Sequence, residues 1–216
     1  MVDTGAQMGK KVVALITDMD QPLGRAVGNA LEVAECLQVL RGCGPADLRE
    51  LSLHLCGWMF YLGERTASVD EGRQYAAELI ASGRALDKFR EIVRLQRGDE
   101  RVIDDPTRLP RACFQADVFS TWSGYVAQID CEQIGIAGVI LGGGREKKED
   151  SIDHAVGLVL HKKVGDTVEQ GEPLCTVYYN AAGKIEQVCR MAEQAYRVTN
   201  AARYVSRPLV SRTIEC

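Results

Sequence analysis

Residues 14–35 read ALITDMDQPLGRAVGNALEVAE, and the groups in them that can do chemistry crowd into one turn. Asp18 and Asp20 leave an apolar run, and Pro22 fixes φ. Gly24 and Gly28 then permit backbone angles closed to other residues before Asn29 starts a helix. Carbonyls in such a turn are free to bind something, and the same residues also suit a plain strand-to-helix connection. The residues alone leave both open.

Other candidates are weaker. Gly142, Gly143 and Gly144 with Arg145, Lys147 and Lys148 have the ingredients of a phosphate cradle, but the spacing matches neither a P-loop nor G-x-G-x-x-G. A tight turn leading into a helical turn at EDSIDHA is the simpler expectation. His54, His154 and His161 stand at no metal-ligand spacing from one another or from the cysteines. No serine lies in a G-x-S-x-G elbow, and no cysteine has a nucleophile context.

These groups need elements to hold them, and the chain has the means. Its 216 residues, 46% hydrophobic, can bury at least one full core. The formal charge of −4 is scattered, which points away from nucleic acid and anionic lipid. Eight cysteines without a C-x-x-C pair or a cationic leader read as reduced cytosolic thiols, hence a cytoplasmic protein. IGIAGVILGGG is too short and glycine-rich to span a membrane.

KKVVALITDM has the pattern of a strand covered on both faces, as in a parallel α/β sheet. The nine residues before it suit only the tail of a helix ended by Gly5 and Gly9. Helix starts follow at Asn29 with Glu32, Asp47 with Glu50, and Ser68 with Glu71, with helix expected through Gly98. Leu48, Leu51, Leu55 and Met59 form one core-facing stripe, and Leu86, Phe89 and Val93 another.

The charged, two-proline stretch GDERVIDDPTRLPRACFQ has linker composition. The expected division is therefore 1–98, the C-terminal part of a mixed α/β domain with helices, a linker at 99–115, and a small α+β domain at 116–216. In the latter, DVFSTWSGYVAQI, IAGVIL, AVGLVLHKKVGDTVEQGEPLCTVYYN and RPLVSRTIE read as β-like, with a helix around KIEQVCRMAEQAYRVT. LHKKVGDTVEQGEPL resembles the hairpins of biotinyl and lipoyl carrier domains, a barrel-sandwich region. Carriers present a lysine in a context such as M-K-M, which does not occur here. A non-catalytic binding or assembly module on such a barrel is the alternative function.

ITDMDQPLGRAVGNALEVAE resembles the signature stretch of the pyrimidine-nucleoside phosphorylase and thymidine phosphorylase family. GPADLREL, SGYVAQI and GGGREKKEDSIDHAVGLVLHKKVGDTVEQGEPL extend the resemblance over almost the whole chain, closer to the bacterial pyrimidine-nucleoside enzymes than to strict thymidine ones. It implies a homodimeric pentosyltransferase in which phosphate, as co-substrate, cleaves uridine or thymidine to free base and pentose 1-phosphate.

The family's phosphate loop and base-holding residues lie in its N-terminal half, so no position here inherits those roles. The chain reads as a C-terminal piece, inactive alone. What does carry over is a potassium site of two turn carbonyls and one helix carboxylate, matching Leu23, Ala26 and Glu35. Neutral oxygens with few charges suit a weakly hydrated monovalent cation.

Overall fold

The computed structural model describes residues 1–145, 147–200 and 207–215. In chain order its elements are α1 (Val2–Gln7), β1 (Val13–Thr17), β2 (Ala26–Val27), α2 (Asn29–Leu40), α3 (Ala46–Leu62), α4 (Val69–Ala81), α5 (Arg84–Leu95), β3 (Phe114–Phe119), β4 (Gly124–Ile129), α6 (Cys131–Gly138), β5 (Gly157–Leu160), β6 (Thr167–Val168), β7 (Pro173–Tyr179), α7 (Ile185–Ala195), β8 (Tyr196–Thr199) and β9 (Val210–Glu215). Helices and sheets are mixed, as expected. The described strands form open sheets of two, four and three strands, in the orders β1-β9, β2-β5-β7-β3 and β6-β4-β8. None of these closes into a barrel.

Two compact units share these elements. The first gathers Met1–Asp18, Gln38–Gln96 and the last strand, the second Met19–Leu37 and the described residues from Arg97 to 200. This grouping differs from a contiguous division at 99–115. The opening turn belongs with the later sheets because β2 pairs with β5. The final strand returns to β1. Residues 99–115 are not featureless either, since they form two 3-10 turns, Glu100–Ile103 and Pro106–Arg108, the first ending on the fully buried Ile103.

In the first unit, β1 runs antiparallel to β9, from Val13 opposite Glu215 to Thr17 opposite Val210. The expected parallel, doubly covered strand is thus corrected: Ile16 is 47% exposed, and RPLVSRTIE supplies the ladder. Gly9, at φ +69°, ends α1, while Gly5 lies inside that helix and against Val12. The α3 stripe is corrected too. Leu55 and Met59 are exposed, and Leu53 and Gly57 are the buried positions. Two glycines set this: a Cβ on Gly72 of α4 would lie 2.6 Å from the Gly57 carbonyl, so the helices meet backbone to backbone.

The three helix starts differ. Ser68 caps α4 as expected, accepting from Glu71 N–H at 3.2 Å, while Glu71 accepts from Ala67 N–H. At α2 the reciprocal pair is Gly28 with Glu32, and the Asn29 amide instead donates to the Gly143 carbonyl. At α3 Pro45 is the cap, and Glu50 pairs with Arg73.

The second unit holds the main core, with Val126, Ile129, Ile134, Leu158, Leu160, Val177 and Val188 at 0–1% exposure. IAGVIL, expected as a strand, is helical: Asp130 caps α6 by accepting from Gln133 N–H, and Ile134 and Ala137 face inward. The expected helix at 184–199 stops at Ala195, after which β8 pairs with β4.

Candidate functional turn

The turn before β2 lies wholly in the second unit, and a buried carboxylate organises it. Glu35 projects from α2 at 7% exposure, and its Oε1 accepts from Arg25 N–H at 2.8 Å and Ala26 N–H at 3.1 Å. Charge-assisted bonds from backbone amides keep such a group tolerable away from water. Gly24, at φ +69°, makes the approach possible, since a Cβ there would sit 2.1 Å from Glu35 Oε2. The glycine and the carboxylate are one feature, eleven residues apart in sequence.

A second segment, Leu160–Val164 at the end of β5, is laced to this turn in both directions. Leu160 N–H donates to the Arg25 carbonyl at 2.8 Å, and the Arg25 guanidinium donates to the carbonyls of Leu160 and His161 at 3.3 and 2.7 Å. The Lys163 ammonium donates to the carbonyls of Pro22 and Gly24, the latter at 2.6 Å. Val164 N–H donates to the Gln21 side-chain carbonyl at 3.0 Å.

Of the residues expected to hold a cation, Ala26 and Glu35 are in direct contact through the Ala26 amide, and Leu23 stands beside Gly24 at 39% exposure. Neither the Leu23 nor the Ala26 carbonyl is an acceptor in the bonds just described. Carbonyl oxygens with one carboxylate are donors of the kind a cation that prefers oxygen takes. Among the described residues no group of three or more His, Cys, Asp and Glu is placed to hold a metal ion.

Sequence reasoning missed Gln21, Arg25 and Lys163 as partners of this turn. Lys163 lies 141 residues beyond Pro22, a separation that carries no local signal, and its segment reads as a carrier-like hairpin.

The other candidates resolve into packing. At the glycine loop the Gly142 carbonyl accepts from Asp153 N–H and the Gly143 carbonyl from Asn29, while Gly144 lies against Val139. Lys147 and Asp150 close a separate turn, and no helical turn forms at 149–155. His161 hydrogen bonds to the buried Thr176 hydroxyl at 2.7 Å, which donates to Asp117. Burial pushes the Cys175 thiol up to about 12, so it stays protonated at neutral pH. No described helix is long and apolar enough to cross a membrane.

Comparison with known proteins bears on the whole chain. Residues 1–86 match the model of the glycosyl transferase family a/b domain, and residues 125–199 that of the pyrimidine nucleoside phosphorylase C-terminal domain. Over 191 residues the chain is 46% identical to a pyrimidine-nucleoside phosphorylase of Bacillus subtilis (strain 168), covering 88% of this chain and 44% of that protein. A Staphylococcus aureus (strain USA300) protein of the same name is 44% identical over 214 residues, 99% of this chain and 49% of the relative. The chain spans about half the length of these curated relatives. Both ends of the sequence thus point to one group, and the chain belongs to the pyrimidine-nucleoside phosphorylase family, of which it carries the C-terminal portion.

Proposed function

We propose that this chain serves the phosphorolysis of pyrimidine nucleosides, the attack of inorganic phosphate on the anomeric carbon of uridine or thymidine to release free base and pentose 1-phosphate. It does so as the part that braces the phosphate site, working in a cytoplasmic, homodimeric enzyme. The observation that carries this is the Glu35 carboxylate, buried against Gly24 and bonded to the Arg25 and Ala26 amides. Its place beside a turn rich in backbone carbonyls is apt for a cation.

The Leu23 and Ala26 carbonyls and the Glu35 carboxylate would hold potassium, whose positive charge offers an oxygen-rich phosphate loop a common anchor. Glu35 fixes the turn by taking two backbone amides at once. Gly24 admits the carboxylate, and β2 ties the turn to β5. These residues orient phosphate rather than touch nucleoside, and positioning of this kind lowers a barrier through geometry and electrostatics. On this reading the 216 residues by themselves do not turn over nucleoside.

The test joins this chain to the N-terminal half of the Bacillus subtilis relative and assays uridine with phosphate. The fusion should release uracil and the chain alone should not. In the fusion, Glu35→Gln keeps size and an acceptor but removes the charge, so the apparent KM for phosphate should rise and potassium dependence shift to higher concentration, with nucleoside KM changed less. Wild-type phosphate kinetics across a potassium titration would reduce the turn to a connection.

A further inference from the structure

We propose that Lys163 is a positioning residue for this turn: its tethered ammonium takes the Pro22 and Gly24 carbonyls, leaving those of Leu23 and Ala26 to the monovalent cation of the reading above. The proposal rests on that reading for the identity of the cation and on the geometry alone for the role of the lysine.

A turn rich in carbonyls repels itself and relaxes toward water unless donors meet it. The sources of donors divide by chemistry. The Arg25 and Ala26 amides go to Glu35, and the Arg25 carbonyl is met by Leu160 N–H. The Pro22 and Gly24 carbonyls alternate with the Leu23 carbonyl along the chain, and both are met by one ammonium. A lysine Nζ carries three donors on a flexible stem, so one group can take two carbonyls spaced two residues apart.

Lys163 cannot wander. Its own amide donates to Asp166 Oδ2 at 2.8 Å, the next amide is held by Gln21, and Gly165 N–H donates to the Val126 carbonyl at 2.8 Å. The segment that sends Lys163 to the turn also receives Arg25 from it, so each side places a cation on the other's carbonyls. The positive charge also stands at the residue against which the Glu35 carboxylate packs, Gly24. A tethered cation and a diffusible one would therefore share one turn, the first fixing its shape and the second binding to what remains.

The experiment measures amide hydrogen exchange at Arg25 and Ala26 in the 216-residue chain, in choline chloride, with the β7 amides as a check on the fold. Lys163→Ala should speed exchange at both amides roughly tenfold or more, the scale of a lost charge-assisted bond. Propylammonium, which restores an N–H donor without the tether, should slow it again. Tetramethylammonium, which has charge but no donor, should not. Lys163→Met keeps the apolar stem and should show the same acceleration, which guards against misfolding of the alanine variant. Unchanged exchange in both variants, or acceleration that both ammonium salts relieve equally, overturns the proposal. A separate arm replaces choline with potassium in the fusion with the N-terminal half of the Bacillus subtilis relative, because the turn alone supplies only part of a cation's oxygen shell. Slower exchange there supports the cation reading, whereas indifference sinks that reading alone, and the propylammonium arm still decides Lys163.

Discussion

The two units differ in how they use similar apolar sequence. In the second, two sheets and two helices converge, and the buried cluster runs from Val118 to Tyr196 with most members at 0–3% exposure. In the first, α3 is seventeen residues long and mostly apolar, yet of its hydrophobic side chains only Leu53 is buried, while Met59 is 70% and Leu55 43% exposed. Leu95 of α5 is 73% exposed. A unit with a sealed core holds through side-chain burial, at about 1.5–3 kcal/mol for each large residue. One without such a core relies on helix contacts and caps. The turn organised by Glu35 is built into the sealed unit, where a shared hydrogen-bond geometry can be kept rigid.

The largest effect should come from deleting core volume in the second unit. Leu158, on β5 opposite Val27 and Val177, is fully buried, and Leu158→Ala should cost about 2–5 kcal/mol. Cys175 reports that unit, because its buried thiol reacts with a maleimide only after opening, and peptide mapping isolates its labelling from that of other cysteines. In a Trp122→Phe background, Trp58 on α3 reports the first unit by fluorescence. Urea titration should move the Cys175 midpoint and leave the Trp58 transition nearly in place, with the Trp58 transition at lower urea in the parent. Equal shifts in both probes would break the contrast between the units.

The converse substitution belongs in the first unit. Gly72→Ala gains about 1 kcal/mol of helix preference. It also drives a Cβ to 2.6 Å from the Gly57 carbonyl and 3.0 Å from its Cα, both backbone atoms with no rotamer to move. Overpacking of that kind costs about 1–3 kcal/mol, so after the helix gain the net should be a loss of up to about 2 kcal/mol. The Trp58 transition should fall and the Cys175 transition hold. A stabilised Trp58 transition would show that the α3–α4 contact is looser than its glycines imply.

What could be read from sequence follows the range of the interactions concerned. Ser68 with Glu71 is a local pair three residues apart, and it forms as expected. IAGVIL misleads because apolar runs of six residues suit a buried helix as well as a strand, and the deciding cap, Asp130, lies outside the run. The antiparallel β1–β9 ladder joins residues nearly two hundred positions apart, and no periodicity states the partner of a strand. At the candidate site, Leu23, Ala26 and Glu35 come from resemblance to a family. The Gly24 contact with Glu35 and the Lys163 clasp are consequences of tertiary approach, which spacing does not encode.

The smallest effect tests whether the first unit leans on its caps. Ser68, at φ −147° and ψ 164°, has the extended backbone of an N-cap, and its hydroxyl accepts from Glu71 N–H at 3.2 Å. The Thr66 hydroxyl donates to the Ser68 carbonyl at 3.1 Å and Glu71 returns to Ala67 N–H at 2.8 Å, so the entry to α4 is closed by three bonds of which Ser68→Ala removes one. The site is exposed, and water can take the Glu71 amide in place of the hydroxyl, which puts the loss at about 0.5–1 kcal/mol, the lower part of the range for caps. Ser68→Asn restores an acceptor and should recover most of the loss. Ser68→Asp should recover less than its charge at a helix N-terminus suggests, because Asp70 and Glu71 already occupy the first turn. The Trp58 transition in urea reads all three. If Ser68→Ala leaves that transition unmoved, α4 is held by its glycine contact with α3 alone, and caps drop out of the account of the first unit. If it lowers the Cys175 midpoint as well, the two units unfold as one, and the contrast drawn between them is a difference in packing with no difference in stability.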